Sequence, residues 1–170
     1  FATCNRSLWE IGLDKSTRLV TELFSNLGTA AIGERDILVA DFGPTNAFRD
    51  ERNSDGIIWR VTPEGEKQEI STGIGDPNFI VVLEDGSYLV SDDATADIYL
   101  VGEDGVPKLF RKAVNHPNGL ALSADGSTLY VAQIFSSIRP VVADDAIWAI
   151  QLSDGKPVRD AKLVVRAGPN

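Results

Sequence analysis

Short apolar runs alternate along this chain with brief polar turns, and the arrangement repeats. Residues 116–133 read HPNGLALSADGSTLYVAQ, residues 76–92 read DPNFIVVLEDGSYLVSD, and residues 28–41 read GTAAIGERDILVAD. Each segment holds an apolar run, a tight polar turn, a second apolar run and a closing polar residue: Asp41, Asp92 or Gln133. Two apolar strands joined by a Gly-containing turn make a β-hairpin. A third strand follows each hairpin (IIWRVTP from Ile57, DIYLVG from Asp97, AIWAIQL from Ala146), then a PEG, EDG or SDG turn and a fourth strand: KQEIST, PKLFRK or AKLVVRA. Four antiparallel strands recurring about every 40 to 50 residues are the pattern of a β-propeller blade.

The pattern predicts an all-β fold: a β-propeller with about three and a half four-stranded blades of a six-bladed ring. Residues 1–26, with SLWEIGLD and TRLVTEL, read as the outer strands of one blade. Residues 27–75, 76–115 and 116–167 read as full blades, and residues 168–170 as the start of the next. No long stretch carries the 3.6-residue apolar period of a helix. Two segments lengthen the repeat, GPTNAFRDERNS (residues 43–54) and part of FSSIRPVVADDA (residues 135–146), and both read as insertions on one face. Trp9, Trp59, Trp148 and Tyr99 fall on third strands and read as inter-blade packing. Asp85-Gly86 and Asp125-Gly126 read as turn chemistry, in which Gly accepts positive φ.

Composition narrows the functional classes. The net charge is −9 and the pI near 4.5, which argues against a nucleic-acid partner. No apolar run is long enough to cross a bilayer, so no membrane partner is expected. Cys4 is the single cysteine, which excludes an intrachain disulfide and a zinc site of Cys-pair spacing. The chain opens on Phe1 and has no Met, and three blades would leave sheet edges unpaired. The expectation is a piece of a longer polypeptide, or self-association of two copies if the chain is really this short.

The string PNGLALSADGSTLYVA resembles the senescence marker protein (regucalcin) and gluconolactonase family, six-bladed propellers that hydrolyse lactones with a divalent metal. NHL-repeat and strictosidine synthase-like propellers use similar strings. The resemblance implies a metal in the central channel, held by side chains at one marker position per blade: Asn118 and Asn78, each after a Pro, and Asn170 where the family has Asp. It implies a divalent ion, calcium first, with magnesium or zinc as alternatives, and a small-molecule lactone or ester substrate. Hard oxygen donors converging on an axis suit such an ion. Two departures stand out: Phe79 replaces the family's Asp after the first marker Asn, and Asp76 stands where a substrate-gripping Arg is common, which argues against the usual sugar-lactone pocket.

No catalytic residue is assigned by sequence. The candidates are His116, the only histidine, two residues before Asn118, and Asn170, where an Asp would have been a base. Ser91, Ser123 and Ser136 lack a nucleophile-elbow context, and Asp92 and Asp93 read as turn-forming, with cation binding as the lesser alternative. Two functions follow: a metal-dependent lactonase-type hydrolase, and a non-catalytic NHL-like propeller binding a ligand or a protein.

Overall fold

The computed structural model describes residues 1–45, 53–112 and 114–167. Every regular element among them is a β-strand. The first sheet joins β1 (Ala2–Cys4), β2 (Ser7–Ile11) and β3 (Thr17–Glu22) in that order. The second joins β4 (Asn26–Ile32), β5 (Asp36–Asp41), β6 (Gly56–Val61) and β7 (Lys67–Ile74). The third joins β8 (Pro77–Val82), β9 (Tyr88–Asp92), β10 (Asp97–Val101) and β11 (Pro107–Lys112). The last joins β12 (Pro117–Leu122), β13 (Thr128–Ile138) and β14 (Val141–Ser153), whose outer edge carries both β15 (Lys156–Pro157) and β16 (Lys162–Arg166). All pairings are antiparallel, and all but β14 with β16 join chain neighbours. The innermost strands β4, β8 and β12 lie against one another in turn. The fold is a partial β-propeller.

Two details differ from the sequence pattern. Strand β1 is a further member of the first sheet, pairing Ala2 with Trp9 and Thr3 with Leu8. Residues 135–146 do not form a separate insertion loop. They lengthen the hairpin, with Phe135 opposite Ala143, Ser137 opposite Val142 and Ile138 opposite Val141. The segment 43–54 lies largely outside the described residues.

Alternation along the strands places one apolar set between each pair of sheets. Leu38, Ala40, Ile58, Ile74, Ile80, Tyr88, Val90 and Val101 fill the space between the second and third sheets. Leu89, Ile98, Val114, Leu120, Leu129, Val131 and Ile150 fill that between the third and fourth. Each fully buried Leu or Ile contributes about 1.5–3 kcal/mol. The third-strand aromatics Trp59, Tyr99 and Trp148 pack half-buried against these layers. In all four sheets the aromatic strand slips one register against the next strand outward: Leu8/Trp9 on β2, Ile58/Trp59 on β6, Ile98/Tyr99 on β10 and Ile147/Trp148 on β14. Such a bulge bends and twists the outer edge locally.

Two glycines permit the close approach of blades. A Cβ on Gly28 would stand 2.3 Å from the Asn78 carbonyl oxygen, and one on Gly105, at φ 67°, 2.3 Å from the Ile70 carbonyl oxygen. Neither position has room for a side chain, and Gly105 also occupies the left-handed region.

Candidate functional site at the inner strands

Each second strand of the last three sheets carries a buried polar residue that acts as a pin, at the strand end in β5 and β9 and within the lengthened β13. Asp41 is 0% exposed. Its carboxylate accepts from Phe24 N (2.8 Å), Ser25 N (2.6 Å), Gly43 N (3.1 Å) and the Trp59 indole Nε1 (3.1 Å). Asp92 accepts from Asp76 N (3.0 Å), Ala94 N (2.9 Å) and Gly75 N (3.3 Å). Burial nevertheless raises its pKa, against the pull of those bonds. Gln133 does the same work without a charge: Oε1 accepts from Trp148 Nε1 (3.1 Å) and Nε2 donates to Asp144 Oδ2 (2.9 Å). These closing residues anchor the segment that leads into the first strand or the third-strand aromatic. They are scaffold.

The positions just inside the pins carry the candidate chemistry. Asn78 and Asn118 are the second residues of β8 and β12. Both fall where the pairing of first and second strands is interrupted, between Pro77 and Ile80 and between Pro117 and Leu120. Pairing released at that point frees the residue from the regular pleat, as bulges beside functional sites do. Asn78 is 7% exposed and Asn118 half-buried. Ser91, 0% exposed, couples the two strands: its Oγ accepts from Phe79 N (3.0 Å) and donates to the Asn118 carbonyl (2.6 Å). Asn170 lies outside the described residues.

Asp93 and His116 meet at the same junction. The His116 Nδ1 lies 2.7 Å from the Asp93 carbonyl oxygen. A carbonyl only accepts, so Nδ1 carries the hydrogen, and a neutral imidazole presents its lone pair at Nε2. His116 holds φ 48° and its backbone N donates to the Thr95 carbonyl (2.8 Å). The Asp93 carboxylate, 7% exposed, bonds the Asn78 side chain. Burial pushes its pKa up to about 6; His116 opposes the rise, and Asp76 and Asp92 reinforce it. Asp76, 1% exposed, accepts from Asn53 Nδ2 (2.8 Å). Sequence alone marks Asp93 as turn-forming, with cation binding only as the lesser alternative, because its contacts with Asn78 and His116 cross between chain segments at no characteristic spacing.

The donor set fits a hard cation in kind. It offers the amide groups of Asn78 and Asn118 and the Asp93 carboxylate, whose buried Oδ1 lacks a hydrogen-bond partner, all oxygen chemistry of the sort calcium takes. Among the described residues no group of three or more His, Cys, Asp or Glu is placed to share an ion, so amide oxygens would carry part of the coordination.

Fold and junction together define a propeller of stacked four-stranded blades with polar residues gathered at its inner strands. No protein-family model matches the sequence, and no curated protein is significantly similar to it. Among solved structures the chain is similar to a gluconolactonase of Xanthomonas campestris (TM-score 0.73, 20% identity, covering 93% of this chain and 55% of that one). It is also similar to a candidate gluconolactonase (TM-score 0.67, 16% identity, 93% and 55%) and to virginiamycin B lyase from Staphylococcus aureus (TM-score 0.51, 12% identity, 80% and 40%). The likeness is one of fold, and the chain spans 55% of the length of each of the first two. A hydrolase and a lyase on one architecture place the burden of function on the site.

Proposed function

We propose that the protein is a metal-dependent hydrolase of the lactonase type, acting on a small lactone or ester at the junction of β8 and β12. The observation that carries this reading is the gathering of Asn78, Asp93, His116 and Asn118 at the inner ends of two adjacent blades, on a fold shared with gluconolactonases. The side chains of Asn78 and Asn118, with Asn170 as the third sequence candidate, would hold a divalent ion, calcium by the hardness of the donors. When bound, that ion supplies polarisation of an ester carbonyl. The chain's own residues do the rest. Ser91 fixes the Asn118 backbone against β8. His116, with Nδ1 committed to the Asp93 carbonyl, presents Nε2 to accept a proton from an attacking water.

The test is hydrolysis of a panel of lactones and aryl esters by the protein with calcium, magnesium or zinc, followed by His116→Gln and Asn118→Ala. Metal-dependent turnover that falls by at least about 100-fold in both variants supports the reading. A protein that holds no metal and hydrolyses no member of the panel overturns it in favour of a non-catalytic binding propeller.

A further inference from the structure

The buried carboxylates of this chain divide into two kinds. Asp41 and Asp92 each accept three or more hydrogen bonds and have no orphaned oxygen. Asp93 is different. Among the described carboxylates exposed by 7% or less (Asp41, Asp76, Asp92 and Asp93), it alone keeps a side-chain oxygen, Oδ1, out of solvent and without a hydrogen-bond partner. A second oxygen of this sort is Oδ1 of Asn53, on a residue tied to Asp93 through Asp76. The Asn53 Nδ2 donates to Asp76 Oδ1 (2.8 Å), and the Asp93 N donates to the Asp76 carbonyl (2.8 Å). Apart from the Asn78 side chain, which already bonds the Asp93 carboxylate, the nearby donors are spent elsewhere: His116 Nδ1 on the Asp93 carbonyl, His116 N on Thr95, and the Ser91 hydroxyl on Asn118. The junction therefore holds more buried acceptors than donors. An unpaired buried acceptor costs about 1–3 kcal/mol, and a charged one more, while a cation satisfies several oxygens at once.

We propose that Asp93 is itself a ligand of the divalent cation, supplying the charged oxygen beside the amide of Asn78. This rests on the metal-dependent reading above and adds to it a residue outside the repeated marker position. The consequence is an ion held across the junction of the third and fourth sheets by a loop residue as well as by first-strand asparagines. It also gives a reason for the close tie between the Asp93 backbone and His116, which would keep the ligand and the candidate base in a set relation.

Isothermal titration of calcium chloride into the chelator-stripped protein tests this without any substrate, using wild type, Asp93→Asn and Asn118→Ala, each checked for folding by circular dichroism. Asp93→Asn keeps the shape and removes the charge, and calcium affinity should fall by about tenfold or more, since ligand charge sets affinity in oxygen sites. The proposal is overturned if Asp93→Asn binds within about twofold of wild type. If that happens while Asn118→Ala loses binding, the metal reading stands and only the role of Asp93 falls. If Asp93→Asn loses binding and Asn118→Ala does not, the proposal stands and Asn118 leaves the ligand set. A wild-type protein that takes up no calcium overturns both.

Discussion

Replacing Asp41 isolates the pin from the chemistry, because Asp41 touches none of Asn78, Asp93, His116 or Asn118 through any bond described above. Its carboxylate serves four donors: Phe24 N, Ser25 N, Gly43 N and Trp59 Nε1. Asp41→Ala strands all four. Phe24 is 43% exposed, so its N–H and that of Ser25 can be recovered by water at little cost. Gly43 is buried and the indole is packed against the sheet, so those two stay unpaired at about 1–2 kcal/mol each. With the lost volume, the expected destabilisation is on the order of 3–4 kcal/mol. Asp41→Asn preserves shape and one acceptor oxygen, and should cost roughly half as much. For a chain of this length 1 kcal/mol lowers Tm by about 2–4 °C, so the alanine variant should melt on the order of 10 °C early. Urea denaturation followed by tryptophan fluorescence reads the loss directly, since Trp59 is bonded to the mutated group. An alanine variant within about 1 kcal/mol of wild type, or an asparagine variant less stable than the alanine one, would refute the pin.

Asp93→Asn should change stability with pH in a set direction. A carboxyl raised from 3.8 to about 6 favours folding below the unfolded pKa and loses that advantage as pH rises through 6, so in chelator the variant should match wild type near pH 4 and exceed it above about pH 7 by on the order of 3 kcal/mol; parallel denaturation curves at every pH would contradict this. Ser91→Ala removes both links between β8 and β12 and should cost about 2 kcal/mol, read as a shifted denaturant midpoint, with weaker calcium binding as the Asn118 backbone is released. Gly28→Ala drives a Cβ to 2.3 Å from the Asn78 carbonyl and should cost about 1–3 kcal/mol by thermal melting; no loss would show that β4 and β8 are not in close approach. Residues 1–170 expressed alone leave Leu163, Val164 and Val165 exposed by 40–55% and should self-associate by sedimentation; a cooperative monomer would count against an uncovered outer sheet.

The hairpin repeat was legible because turn chemistry and alternation agree. Asp85 and Asp125 accept from the N–H two residues on, and Gly86 and Gly126 take φ 82° and 69°. The marker asparagines were legible for the same reason, since Pro-Asn recurs at the same point of successive repeats. Strand β1 was not, because three residues give too little alternation to distinguish it from a leader. The lengthened hairpin at 135–146 was hidden by Pro140 and the Asp144-Asp145 pair, residues that favour loops when read singly. In the structure Asp144 is instead held by Gln133 Nε2 and Arg166 Nε (2.9 Å each). The indole bonds of Trp59 and Trp148 were also out of reach. Packing explains a third-strand aromatic equally well, and nothing in a sequence says that its N–H meets an acid or an amide on the neighbouring strand.

Asp92 and Asp93 are adjacent, both buried, and both shifted upward by burial, yet they answer different demands. Asp92 faces three backbone N–H groups that have no other partner in the sheet, so its cost is offset by completing the scaffold. Its equivalents Asp41 and Gln133 show that the position tolerates an acid or an amide provided an acceptor is present. Asp93 completes nothing in the scaffold with Oδ1, and folding alone would be served better by an amide there. A fold that satisfies its other acids at this depth leaves one oxygen unserved in Asp93, beside Asn78, and the cation role proposed above would serve it. Calcium affinity and metal-free stability should therefore move in opposite directions in Asp93→Asn, a pairing that neither a scaffold role nor a surface acid would produce.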